Sequence, residues 1–405
     1  MAAVAAFALS ACNKDNGGSD VEQLSSYEQR IKKAAEQYAS DVIYATYGKL
    51  ADAGTLLYND LVALRDASTL TQAAIDKACT DFLAARAYWE QSEAFLFGAA
   101  TDFGIDPHID SWPLDRQRLA NNLANKDVVA DLKEEGAGAI DEVGTSALGF
   151  HGIEFILFRD GKNRTVAQLN GLETASEFTG KNVSGKDELI FAAAVAEDLM
   201  IHLYELNVSW NPDAPEAQKE AVEEAELNCT VNGTSKTYGE VLLGAAKAGS
   251  TYATWQEVAQ TVLSAGCANI ANEVFSSKMG QAYSGDDESY IESPYSRKSF
   301  VDFYDNIISI RNSLYGSMDA TAPSSYSFMA LLNHYHEEEG AVVESALADA
   351  FSALQACLDS GVSFAENCTK GDAKYHTIQN QVKAAIDAVS ALNDALSEAA
   401  AAIKD

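Results

Sequence analysis

Proline is scarce in this chain: there are six in 405 residues, at positions 107, 113, 212, 215, 294 and 323. Alternating runs of β-branched residues are nearly missing as well, which argues against a sheet-built fold. Basic residues are few, 28 against 60 acidic, for a formal charge of −32. A field of that sign repels nucleic acid and anionic lipid surfaces and favours cations or cationic partners. Solubility alone is the plainer explanation of the same charge. The six cysteines form no Cys-x-x-Cys and no Cys/His cluster, so zinc ribbons and thioredoxin-like redox chemistry are not expected. In an oxidising compartment Cys357 could join Cys368 and Cys229 could reach Cys267, leaving Cys79 free. Also missing are a His-Glu-x-x-His zinc helix, a Gly-x-Ser-x-Gly elbow and a phosphate-cradling glycine loop.

What is present is helix-forming sequence. Between the prolines lie long stretches rich in Ala, Leu, Glu and Gln, with apolar residues at helical spacing, as in Ile31, Ala35, Tyr38, Val42 and Ala45. The pattern predicts helices at about 22–47, 49–66, 71–98, 125–142, 145–158 and 186–208. A second set falls at about 216–227, 237–248, 252–282, 297–316, 324–357 and 372–402, with loop-rich regions at 99–124 and 159–185. The fold class is therefore all-α. A chain of this length exceeds what one growing core supports. Pro212 and Pro215 block helix continuation, so two helical-bundle domains are expected, at 21–210 and 211–405.

Residues 1–20 are expected to be a lipoprotein signal and tether. Ala2 to Leu9 is apolar but far shorter than the ~20 residues that span a bilayer. It ends in Leu9-Ser10-Ala11-Cys12, which resembles the lipobox of bacterial lipoproteins, and a polar, Gly-containing stretch follows. Cys12 would carry the lipid, placing the protein in the bacterial envelope and on a membrane only through that anchor. No Lys or Arg precedes the apolar run, which departs from the usual signal.

Four segments carry candidate chemistry. Ala147 to Phe158 is almost wholly apolar yet contains His151 and Glu154. On a helix, residues three apart share a face with Cβ atoms about 5–6 Å apart, so both could reach one cation. A core histidine satisfied by a glutamate one turn away would look the same. Glu90 and Glu93 repeat the spacing among aromatic residues, where the plainer reading is a solvated face. Asp106 to Asp115 is a turn-rich acidic loop holding Asp110, Trp112 and Asp115. Glu292 to Asp302 is hydroxyl-rich and opens a helix, for which Ser296 or Ser299 would serve as an N-cap. His334 and His336 lie two apart on different faces of an acidic helix surface, and His108, His202 and His376 lack partners nearby in sequence.

Together these segments resemble the imelysin-like family, which is classed as a peptidase family. The Gly-x-His-x-x-Glu signature is matched by Gly149, His151 and Glu154, with Phe155-Ile156-Leu157-Phe158 after it. Glu93 to Gly98 is similar to the family's Glu-Ala-Phe-x-Phe-Gly, and Trp112 to Asp115 to its Trp-Pro-Leu-Asp. Glu273 through Lys278-Met279 resembles a downstream element, as do Ser293, Tyr295, Ser296, Ser299 and Asp302. The resemblance spans about residues 27 to 400 and implies two helical bundles with a cleft between them, lined by these motifs.

It also implies a role in iron acquisition at the envelope, with iron, an iron chelate or haem as ligand and other iron-uptake components as partners. By resemblance the metal ligands are His151, Glu154, Glu93, Glu90 and Asp110. Trp112, Asp115, Glu273, Ser296, Ser299 and Asp302 would surround them or touch a substrate. Oxygen-rich donors with one imidazole suit a divalent or ferric ion, iron first and zinc as the alternative. Carboxyl groups converging without a cation should carry raised pKa values. The family's name also raises a zinc-dependent peptidase using His151 and Glu154, which would need an open coordination position and a water-activating carboxylate.

Overall fold

A computed structural model describes residues 24–287, 289–367 and 376–404. The Cys12 motif and Cys368 lie outside the described residues. The all-α expectation holds: the only paired strands among the described residues are a small hairpin, Phe158–Arg159 with Lys162–Asn163.

The first helix differs from the pattern reading. Ser26–Tyr38, a π-helical stretch Ala39–Tyr44, and Ala45–Asp66 run on as one rod with no break near Gly48. A single glycine lowers helix propensity by only about 1 kcal/mol, too little to stop a rod packed along its length. Ser25 and Glu28 cap its start reciprocally. Gln72–Glu90 returns against it, and the 26-residue helix Gly185–Trp210, opened by a Ser184 capping box, lies on its other flank. The region 99–124 is less loop-like than expected. It holds the short helices Ala99–Asp102, Ile105–Ile109 and Arg116–Ala124.

In the second half, residues 255–284 form an irregular helical run with two π-helical stretches, Thr261–Ala268 and Val274–Lys278. The helix expected over 324–357 is two, Phe328–Tyr335 and Glu337–Asp359, broken at His336 with φ −140° and ψ 57°. Glu337–Asp359 packs along His376–Ala402, and Ser299–Tyr315 packs on Gln72–Glu90. Helices from both sides of residue 210 contribute to one apolar core running from Ile31 to Ile403. The Cys229–Cys267 pairing does not form, because both thiols are free. Cys229 sits by a small satellite cluster of Val208, Ala214 and Val222, while Cys267 belongs to the main core.

Candidate functional site

The Gln72–Glu90 helix supplies the first groups of a buried polar network. Arg86 and Glu90 are one turn apart, both buried, and paired with each other. The same guanidinium reaches Asp110 and Glu292. Trp89 Nε1 donates to Asp110 Oδ2 at 2.7 Å. Glu93 follows in a single 3₁₀ turn, Glu93–Phe95, and is also buried.

Lys278 enters from the far side, at the end of the π-helical stretch Val274–Lys278. Such turns shift side-chain register and recur at functional sites. Its ammonium lies 2.9 and 3.0 Å from the two Glu93 oxygens, 3.1 Å from Glu292 Oε1 and 3.4 Å from Glu90 Oε2. Asn306 Nδ2 donates to Glu90 Oε2 at 2.6 Å.

His151 and Glu154 share one face of the Gly149–Leu157 helix, every residue of which is buried. Gly149 has φ 62°, and a Cβ there would stand 1.9 Å from the carbonyl oxygen of Ile109. Glycine thus lets the helix start abut the segment that carries Asp110. His151 Nε2 lies 3.1 Å from Asp110 Oδ1, but off the line of a hydrogen bond, and Nδ1 lies 3.3 Å from Glu154 Oε2. An imidazole and carboxyl groups from distant parts of the sequence do meet in one crevice.

Glu154 has a different task from the one its spacing suggested. Its Oε1 accepts from the Tyr295 N–H at 3.1 Å and from the N–H and Oγ of Ser296, both at 2.7 Å. With Oε2 turned to His151, the carboxyl holds the ring and the 293–297 turn rather than facing the acid cluster. That turn is costly, since Ser293 and Arg297 both adopt left-handed φ, at 48° and 59°. The expected serine N-cap is also absent: Ser296 is on Glu154, Ser299 Oγ donates to the Glu292 carbonyl, and Lys298 begins the helix without a side-chain cap.

Asp115 is exposed and caps the Arg116–Ala124 helix by accepting from the Arg118 N–H at 2.9 Å, so it takes no part in the crevice. Trp112 and half-buried Glu273 line the mouth, a cavity of about 230 Å³ shared with Glu93, Asp106, Asp110 and Lys278. Trp112 packs on Tyr290 at 4.1 Å between ring centres. Asp302 is buried near Glu90 and Glu292. Spacing along the sequence did not reveal Arg86, nor that Lys278 and Glu292 would join the cluster. The Arg86–Glu90 step of one helical turn was the available signal.

The charges do not balance. Six buried carboxyl groups share this network with three basic groups: Glu90, Glu93, Asp110, Glu292 and Asp302 lie around Arg86 and Lys278, and of the bases Glu154 meets only His151. Burial and neighbouring carboxylates raise Glu93 and Asp302 well above the usual range, and Glu292 to about 7. Asp110 departs from this pattern. Burial alone would raise it, but Arg86 and His151 hold it well below an ordinary carboxylate. Burial likewise works against the His151 cation, yet its contacts with Asp110 and Glu154 carry it to about 9. Among the described residues, His151 Nε2, Glu292 Oε2 and Asp302 Oδ2 are buried with no hydrogen-bond partner. A second buried network nearby is even, with Arg159 and Arg164 against Glu173 and Glu188.

A model of the family described as Imelysin matches residues 43–401. The chain is 26% identical over 269 residues to "Iron-regulated protein A" of Synechococcus elongatus, an alignment covering 66% of this chain and 60% of that protein. A crystal structure from Parabacteroides distasonis, of a protein proposed to be an iron-regulated protein A precursor, superposes with a TM-score of 0.73 at 23% identity. That superposition covers 96% of this chain and 98% of that one. An imelysin-like protein from Psychrobacter arcticum gives 0.56 at 12% identity, over 92% and 94% of the two chains.

Gly149→Ala should lower unfolding stability by about 2 kcal/mol or more, because the new Cβ meets backbone at a left-handed residue. An unchanged urea midpoint would count against this packing. The metal-free protein should also lose stability as pH rises. His151 contributes fully below its unfolded value of 6.5 and loses that contribution towards about 9. Glu292 holds its proton more tightly folded than unfolded, so its ionisation between 4.5 and about 7 acts in the same direction. Calorimetry in chelator should show a melting point falling by several degrees between about pH 5 and 9, and a flat profile would contradict the assignment.

Proposed function

The chain belongs to the imelysin family, and we propose that it captures a metal cation, iron first, in the acid-rich crevice around His151. The observation carrying this reading is the surplus of buried carboxyl groups over buried bases. Charge removed from water is stable only when compensated. Burial and mutual repulsion raise Glu93, Glu292 and Asp302, so the deficit favours proton uptake, and a cation would meet it as well. Asp110, His151 and Glu292 offer donor atoms within 4.8 Å of one another, and so do Glu90, Glu93, Asp110 and Glu292. Oxygen donors with one imidazole suit ferrous or ferric iron, with zinc the alternative. The name of the Synechococcus relative supports iron.

In this reading His151 Nε2 is the ligand atom and Glu154 orients the ring through Nδ1, the carboxylate–histidine arrangement common around metals. Lys278 is a resident counter-cation that an incoming ion displaces. The mouth, at about 230 Å³, is below the ~300–1,000 Å³ typical of small-molecule sites, which favours an ion over haem or a bulky chelate. A peptidase using the same pair would need a carboxylate free to activate water, and Glu154 is committed on both oxygens. Cys12 and its flanking residues support lipid anchoring at the bacterial envelope, where other iron-uptake components would meet the protein.

Equilibrium dialysis against Fe²⁺ under anaerobic conditions, and against Zn²⁺, tests the crevice. Asp110→Asn, Glu93→Gln and His151→Ala should each weaken binding ~10-fold or more, whereas Lys278→Met should tighten it by removing the competing ammonium. Binding that ignores all four variants would end the proposal. For the anchor, Cys12→Ser should shift the protein from the membrane fraction to the soluble one, and unchanged fractionation would refute it.

A further inference from the structure

His108 and His202, isolated in the sequence, meet in space. Asp198 and His202 are one turn apart on the Gly185–Trp210 helix and present one face to His108. His108 Nε2 lies 2.9 Å from Asp198 Oδ2, and His202 Nε2 lies 3.6 Å from Asp198 Oδ1. The two ring centres are 4.3 Å apart. His202 Nδ1 is hydrogen-bonded to Glu205 Oε2 at 2.8 Å, and that carboxylate is only 3% exposed.

The Glu205 contact orients the His202 ring. A buried carboxylate on Nδ1 is the arrangement common behind a metal-bound histidine, and it aims Nε2 towards Asp198 Oδ1. Asp198 is already the acceptor for His108 through its other oxygen. The His108 imidazole stands within reach of the same point.

The geometry points to a second cation site, built from His108, Asp198 and His202, that takes a divalent transition-metal ion such as Zn²⁺ or Fe²⁺. One donor atom from each of the three lies within 4.8 Å of the others. Metal–ligand bonds of about 2.0–2.2 Å would need side-chain closure of only about 1 Å. Two imidazoles and one carboxylate leave coordination positions open, as in the facial triad of non-haem iron proteins and in catalytic zinc sites. The donors are near the surface, with His108 21% and His202 16% exposed, and a cavity of about 530 Å³ lined by Asp198, His202, Glu135 and Glu224 adjoins them. Entry is thus open and acid-lined, which favours cations. The inference does not depend on the crevice around His151.

Cu²⁺ added to the purified chain and read by pulsed electron paramagnetic resonance distinguishes the two sites, because this one supplies two imidazoles and the crevice one. The expected result is a two-imidazole signal that becomes single in His108→Ala and in His202→Ala and persists in Asp110→Asn. Zn²⁺ dialysis should show one ion fewer per chain in the double variant, and Glu205→Gln should weaken this site ~10–100-fold. His108→Ala alters the most exposed of the three donors, so folded protein is available for the comparison. A signal from one imidazole only, or a Zn²⁺ count unchanged in the double variant, overturns the proposal.

Discussion

An unpaired buried charge costs several kcal/mol, and breaking a buried pair by removing one partner is penalised on that scale. The crevice of this protein places six carboxyl groups against three bases, and much of the surrounding architecture is arranged to keep them together. Arg86 spans three acids from the middle of a buried helix face. Lys278 arrives through a π-turn, and the Trp89 and Asn306 N–H groups fill further acceptor positions. Glu154 fastens the 293–297 turn by three donors to one oxygen, holding two left-handed non-glycine residues in place. The neighbouring Arg159/Arg164 network, with two bases for two acids, shows that the same fold also buries charge without a surplus. The surplus in the crevice is the feature on which the proposal of a positively charged guest rests.

Much of the fold was legible because helices announce themselves locally. Scarce proline, strong helix formers and apolar spacing were enough to give the all-α class and most of the long rods. The failures were of two kinds. Gly48 read as a break because propensity was weighed without the packing that overrides it, and His336 read as continuous because its break is a matter of backbone angles. The candidate site was legible where two functional groups share one helical turn, as with His151 and Glu154 or Glu90 and Glu93. It was illegible where partners come from far along the chain: Arg86 with Glu292, Lys278 with Glu93, His108 with Asp198. Asp115 misled for the opposite reason, since a residue inside a recognisable motif turned out to do the ordinary work of a cap.

Likeness of fold does not carry function, which has to be argued from the groups a site presents. Relatives below 25% identity establish here that the helices are arranged alike. The cation reading rests instead on the surplus of buried carboxyl groups over bases, and on where each neighbouring hydrogen bond is already committed. Glu154 illustrates the difference. A motif alone makes it a ligand; its hydrogen bonds make it the piece that joins the His151 ring to the 293–297 turn.

Arg86 and Glu292 are 206 residues apart, and Lys278 is 185 from Glu93. Contacts so remote are among the last a chain can close, since each requires a very large loop to be drawn shut. While the polypeptide is still emerging, the acids of the first half are made without Lys278, Glu292 or the turn that Glu154 grips. A half-synthesised chain consequently has no crevice at all, and the cluster is complete only once the helix Ser299–Tyr315 has been made and docked.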